Sequence, residues 1–135
     1  MELQSVAGNS KWKRAKQMGR VVGFELNSQD PEKASAFFAE VFGWEISEPH
    51  WGYRAVDSGD AKGEIRGGIV KGPADFPHGT RIQIEVESID ETIGKAKEHG
   101  AQVVREKMEF DGFYLAYLTD PTGVGFGLVQ YEMQD

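Results

Sequence analysis

Val21-Val-Gly-Phe-Glu-Leu-Asn-Ser-Gln-Asp-Pro-Glu-Lys-Ala-Ser-Ala-Phe-Phe-Ala-Glu-Val-Phe-Gly-Trp-Glu-Ile46 is the stretch that decides the fold. Val22, Phe24 and Leu26 alternate with Gly23, Glu25 and Asn27. That period predicts a strand with one apolar and one polar face. Asp30 then precedes Pro31. An Asp N-cap followed by Pro opens a helix, because Pro lacks the N–H that would stay unpaired there. Ala34, Phe37, Phe38, Val41 and Phe42 recur at helical spacing and predict one apolar face. Burying the four large side chains of that face contributes about 10 kcal/mol, counted against an extended chain. Gly43 supplies a left-handed cap, and a second strand follows.

The pattern returns in weaker form as Ile82-Gln-Ile-Glu-Val-Glu-Ser-Ile-Asp-Glu-Thr-Ile-Gly-Lys-Ala-Lys-Glu-His-Gly-Ala-Gln-Val103. Glu25 recurs at Glu85, a separation of 60 residues that Ser28/Ser88 and Asp30/Asp90 keep. A fixed period of this kind marks a duplicated supersecondary unit. Ser88 and Glu91 have the spacing of a capping box. Ile89, Ile93 and Ala96 make a thinner apolar stripe, so the second helix is expected to pack less strongly than the first.

Strands are predicted over 51–56, 64–70, 81–87, 103–106, 113–118 and 124–131, giving βαβββ twice with a linker at 72–79. This is an α+β architecture: two βαβββ modules forming a cupped mixed sheet around a cleft. The domain is expected over 20–131, with module one at 20–72 and module two at 80–131. Residues 1–19 form a basic extension expected to be flexible, and 132–135 a tail. Gly123-Val-Gly-Phe-Gly127 lacks the following helix of a dinucleotide loop and reads as a glycine-rich edge strand.

The 135 residues suit one domain with a real core. Hydrophobic content of 39% and charged content of 27% are those of a globular chain, and no apolar run reaches a membrane span. Cys is absent, which removes disulfides and thiolate chemistry and fits a cytoplasmic location. Net charge is −7, although residues 1–19 hold Lys11, Lys13, Arg14 and Lys16 against Glu2. An acidic body argues against a nucleic-acid backbone as partner, and the basic segment reads as a solvated arm.

The run from Asp30-Pro to Phe-Gly-Trp-Glu-Ile46, with the closing Leu118-Thr-Asp-Pro-Thr-Gly-Val-Gly-Phe-Gly-Leu-Val-Gln130, resembles the vicinal oxygen chelate superfamily of glyoxalase I, bleomycin-resistance proteins and extradiol dioxygenases. The resemblance covers residues 20–131. It implies two modules closing around a cleft, often at a homodimer interface. It also implies metal-ligand positions at Gly23, at or beside Gly67-Gly68, at Arg81 and at Gly127. None of these side chains ligates a metal, so no metal and no cofactor are expected. His50 and His78 fall in loops and His99 in the last helical turn, where its charge suits the dipole.

The expected cleft residues are Glu25, Trp51, Tyr53, Arg81, Gln83, Phe113 and Tyr117, with Phe110 and Tyr114 as further aromatics near it. Glu25 and Glu85 are weak candidates for a paired-carboxylate acid/base site. Arg81 shares a strand face with Gln83 and Glu85, and its planar fork suits Glu25 or the acid group of a ligand. The reading is a homodimer that binds a small, planar or anionic molecule without a metal. Its rivals are a lyase, isomerase or dioxygenase of the same superfamily, and an interaction protein whose cleft is filled.

Overall fold

A computed structural model describes residues 19–59, 63 and 65–132. The basic extension and the last residues of the tail lie outside them. The elements are β1 (Val21–Ser28), α1 (Pro31–Phe42), β2 (Glu45–Ile46), β3 (Tyr53–Asp57), β4 (Arg66–Lys71), β5 (Gly79–Glu85), α2 (Ile89–Glu98), β6 (Gln102–Phe110), β7 (Phe113–Thr119) and β8 (Gly125–Tyr131). The order is βαβββ twice. All strands join one eight-stranded mixed sheet in the order β2-β3-β4-β1-β5-β8-β7-β6. β1 lies parallel to β4, β5 parallel to β8, and the two modules meet where β1 runs antiparallel to β5.

The caps are built as their residues dictate. Asp30 accepts a hydrogen bond from the Lys33 amide (3.1 Å), and Gly43 ends α1 at φ 75° with its N–H bonded to the Ala39 carbonyl. Ser88 accepts from the Glu91 amide (3.1 Å), while Gln130 Oε1 takes the Ile89 amide (2.8 Å). His99 caps α2, with Nδ1 2.9 Å from the Lys95 carbonyl.

The two helices reverse their expected roles. In α1 the only buried side chain is Ser35, while Phe37, Val41 and Phe42 are 54%, 57% and 60% exposed. The helix is rotated so that Ala34, Ser35 and Phe38 face the sheet, with Phe38 stacked on Trp44 at 4.9 Å. The 10 kcal/mol assigned to the whole stripe is therefore largely unrealised. The main buried cluster lies in module two, where Ile89 of α2 is fully buried with Ala116, Leu118 and Leu128, while Val22, Val56 and Ile69 are buried in module one. One fully enclosed Ile anchors α2 better than three exposed side chains anchor α1.

β8 corrects a second expectation. It is interior, between β5 and β7, and the edges are β2 and β6. Its glycines make room for side chains crossing its backbone. A Cβ at Gly127 would lie 3.1 Å from Tyr117 Cε1, and one at Gly125 would lie 3.4 Å from Arg81 Cδ. Gly67 and Gly68 act alike on opposite faces of β4, the first under the Phe24 ring and the second under Tyr53.

Ile89→Ala should lower unfolding free energy by about 2–5 kcal/mol, the range for emptying a buried aliphatic site. Urea denaturation measures it, and a loss below about 1 kcal/mol would show that α2 is not the anchor.

Candidate functional site

The seam between β1 and β5 sets the site. Its register places Glu25 opposite both Arg81 of β5 and Gly68 of β4. Alternation puts Glu25, Asn27 and Arg81 on the face away from the helices. All three are buried, at 5%, 5% and 6% exposure, as is Tyr117 of β7 at 7%.

These residues form one network. Arg81 Nη2 donates to Glu25 Oε1 at 3.4 Å, and Tyr117 Oη donates to Glu25 Oε2 at 2.8 Å. The Arg81 guanidinium lies over two rings, 4.0 Å from the centroid of Tyr117 and 4.5 Å from that of Phe76. Cation–π contact with two rings suits a weakly hydrated guanidinium. Burial and the Glu25 carboxylate hold the Tyr117 phenol well above its ordinary range, so it stays a proton donor to Glu25. Burial and Glu25 push the Tyr53 hydroxyl upward as well.

A cavity of about 220 Å³ opens on this network, lined by Glu25, Asn27, Arg81 and Tyr117 on one side. Val70, Lys71, Pro73, Arg105 and Met108 complete it. β4 and β6 stand well apart in the sheet order yet both line it, so the sheet curls into a cup. Arg105 reaches the cup through a bulge. Val103 pairs with Leu118 but Arg105 pairs with Tyr117, so β6 spends one residue more than β7. The extra residue moves Arg105 from the helix-packed face to the Tyr117 face. Arg105 then forks onto Asp75 of the 72–78 loop at 2.9 and 3.3 Å. That guanidinium holds the Asp75 carboxyl below its usual range.

A larger groove, about 730 Å³, runs along β2, β3 and the start of β4. Its lining includes Tyr53, Asp57 and Arg66 but none of the buried polar network. The smaller cavity is therefore the candidate site.

The expected residues separate accordingly. Glu25, Arg81 and Tyr117 come together on the cavity. Gln83 lies on the same floor, its side chain against Gly23 and Gly127, and Tyr53 lies over Gly68 beside the larger groove. Trp51 is 93% exposed. Phe113 stacks on Phe110 at 5.1 Å, outside the cavity lining. Tyr114 belongs to the helix-side core. Glu25 and Glu85 are not paired: the antiparallel register gives Glu25 to Arg81, while Glu85 sits 3.6 Å from Arg20. Asn27, Lys71, Arg105 and Met108 were missed by sequence reasoning. Asn27 alone carried a signal, as the next cleft-face residue after Glu25.

The implied metal positions fail on their donors. Register makes Gln83, rather than Arg81, the direct partner of Gly23, and Gly127 its other neighbour. Of the implied pair Gly67-Gly68, Gly68 shares the cleft face, opposite Glu25, and register sets Arg66 beside Gly23. Three glycines and one amide are not a divalent-metal donor set, and the nearby Glu25 is already held by Arg81 and Tyr117. Among the described residues no group of three or more His, Asp or Glu converges.

A cupped double βαβββ sheet of this kind defines the glyoxalase-like class. Residues 23–129 match the Glyoxalase-like domain family, and the chain belongs to it. It is 29% identical over 113 residues to the provisionally named glyoxylase CFP32 of Mycobacterium bovis, covering 78% of this chain and 43% of that one. The chain thus spans less than half the length of the curated relatives it matches. A hypothetical protein, BH1468 of Bacillus halodurans, shares the fold with a TM-score of 0.63 at 17% identity, covering 87% of this chain and 97% of that one. A methylmalonyl-CoA epimerase of Streptomyces coelicolor gives 0.60 at 16% identity, covering 86% and 99%. A glyoxalase/bleomycin resistance protein/dioxygenase superfamily member from Vibrio splendidus gives 0.60 at 18%, covering 85% and 100%. No described helix is long and apolar enough to cross a membrane.

Tyr117→Phe should cost about 1–3 kcal/mol, since it strips a buried carboxylate of a donor. The raised phenol pKa contributes stability that is complete below the unfolded value, about 10, and is lost as pH rises through the folded value. Denaturant unfolding from pH 8 to 12 should therefore fall less steeply in Tyr117→Phe than in the native chain. Identical slopes would show that Tyr117 is not held neutral by burial and Glu25.

Proposed function

We propose that the protein binds a small anionic molecule in the cup between its modules, without a metal, with Arg81 as the anchoring cation. The observation that carries this is the state of Arg81. It is buried, it lines the cavity, and it meets Glu25 through a single 3.4 Å contact. A buried guanidinium with a spare donor beside a cavity is built to receive an acceptor. Lys71 on the same wall adds positive charge, while Arg105 is paired with Asp75. Arg81→Ala should weaken a small carboxylate by about 1.5–3 kcal/mol, the range for charged hydrogen bonds. Isothermal titration measures this, and unchanged affinity in a folded variant would end the reading.

One observation favours a second reading, an enzyme of the same superfamily. Tyr117 and Glu25 share a 2.8 Å hydrogen bond at the cavity wall, which is proton-transfer geometry. Loss of deuterium from the α-carbon of a bound acid, abolished by Glu25→Gln, would select it.

The assembly belongs to the same proposal. Phe37, Val41 and Phe42 form an exposed apolar helix face, and a second copy of the chain is its proposed cover. The β6 edge offers no alternative, because Arg105, Glu106, Lys107 and Glu109 charge it and bulges interrupt it. Light scattering should report a dimer that Phe37→Glu turns into a folded monomer. A native chain that is monomeric at high micromolar concentration would contradict this. The absence of Cys accords with a reducing compartment, and cytoplasmic residence completes the proposal.

A further inference from the structure

Glu25 and Tyr117, which hold the Arg81 guanidinium, stand on strands of the sheet. Phe76, which also covers it, stands on the 72–78 loop. That loop is pinched at its base. The Gly72 amide donates to the Ser28 carbonyl at 3.2 Å, and Gln29 Nε2 donates to the carbonyls of Gly72 and Pro77 at 3.0 and 3.2 Å. A Cβ at Gly72 would run into the Phe76 and Pro77 carbonyl oxygens, so glycine is what lets the two ends approach. Between those ends the one backbone hydrogen bond is internal, from the Phe76 amide to the Pro73 carbonyl at 2.9 Å. Among the described residues, the only hydrogen-bonded tie from residues 73–76 to the sheet is the Asp75 carboxylate on Arg105 of β6, at 2.9 and 3.3 Å. Both of those side chains are nearly half exposed. An exposed ion pair is a weak tie that salt screens.

From this arrangement we infer that residues 73–76 form a cover over Arg81, closed by the Asp75–Arg105 pair, which must lift before an anion reaches the guanidinium. A compact loop with a closed base and a lightly held tip can open without disturbing the sheet beneath it. The tip is held down by the Phe76 ring, packed on Arg81, and by this one ion pair. Breaking the pair leaves Phe76 as the remaining hold, so the open form gains population. The latch also stands where a ligand would pass, because Arg105 and Pro73 both line the cavity that Arg81 lines. With the cover closed, Arg81 is 6% exposed. The cover follows from the ties of the loop, and its bearing on a ligand rests on the anion-binding reading above. An anion that binds the open form alone binds in proportion to that form's population.

Solvent exchange of the Arg81 Nε–H, followed by proton–nitrogen NMR on the whole chain, tests this together with a titration of butanoate. Nε is sealed from solvent in the closed form, so its exchange reports opening. Asp75→Asn should speed that exchange about two- to fivefold, the worth of an exposed ion pair, and strengthen butanoate binding by a similar factor. Exchanging the partners, Asp75→Arg with Arg105→Asp, should return the exchange toward its native rate, which a merely damaged loop would not do. If Asp75→Asn does not fold, the native chain in 1 M sodium chloride, where the pair is screened, should show the same acceleration. Unchanged exchange in the folded variant, or equal butanoate affinity in both chains despite faster exchange, overturns the inference and leaves the anion reading standing. Faster exchange with no butanoate bound by either chain at millimolar concentration upholds the cover and removes the anion reading.

Discussion

The structure depends on one buried ion pair, Glu25 with Arg81, placed across the seam where the two modules meet. Each side chain is only 7% exposed, and desolvating such ions costs several kcal/mol apiece, roughly, before their attraction is counted. The surroundings offset that cost. Tyr117 satisfies the second carboxylate oxygen, and two rings cover the guanidinium. Other features follow from this demand. Phe76 comes from the loop joining the modules, and Gly125 and Gly127 flatten β8 where Arg81, Gln83 and Tyr117 lie across it. Asp75 of the same loop is tied to β6 by Arg105, which holds the loop against the far wall of the cup.

Much of the fold was legible because duplication leaves a mark that single elements do not. The 60-residue offset gave the double βαβββ order, and Asp30-Pro31, Gly43 and Ser88 gave the helix ends. What escaped depended on the helix's rotation and on sheet register. Periodicity shows that Phe37, Val41 and Phe42 share a helix face, but it does not show which side of that stripe meets the sheet. The expected prominence of α1 over α2 failed for this reason. The glycines of β8 suggested an edge because their neighbours across the sheet were invisible.

The site divides along the same line. Arg81 and Glu25 were readable as facing residues of two equivalent strands. The separation of Glu25 from Glu85 was not, because residues equivalent by repeat become distant when the strands run antiparallel. Arg105 was hidden for a sharper reason: strict alternation assigns it to the face of Val103, and only the bulge turns it toward Tyr117. The family resemblance indicated the cleft but not its chemistry. One fold carries many activities, and here its usual ligand positions hold Gly23, Gly68, Gln83 and Gly127. A buried guanidinium, that of Arg81, lies beside those positions.

In the proposed site Arg81 is fixed by Glu25 and aromatic rings yet has guanidinium donors left for a ligand. Proton–nitrogen NMR of arginine-labelled protein follows that guanidinium through its Nε–H. The account predicts one Nε–H resonance, lost in Arg81→Lys, that is protected from solvent exchange in the free protein and shifts when a small carboxylate is added. An Arg81 resonance that exchanges as fast as those of surface arginines, or stays in place when such an acid binds, would contradict it.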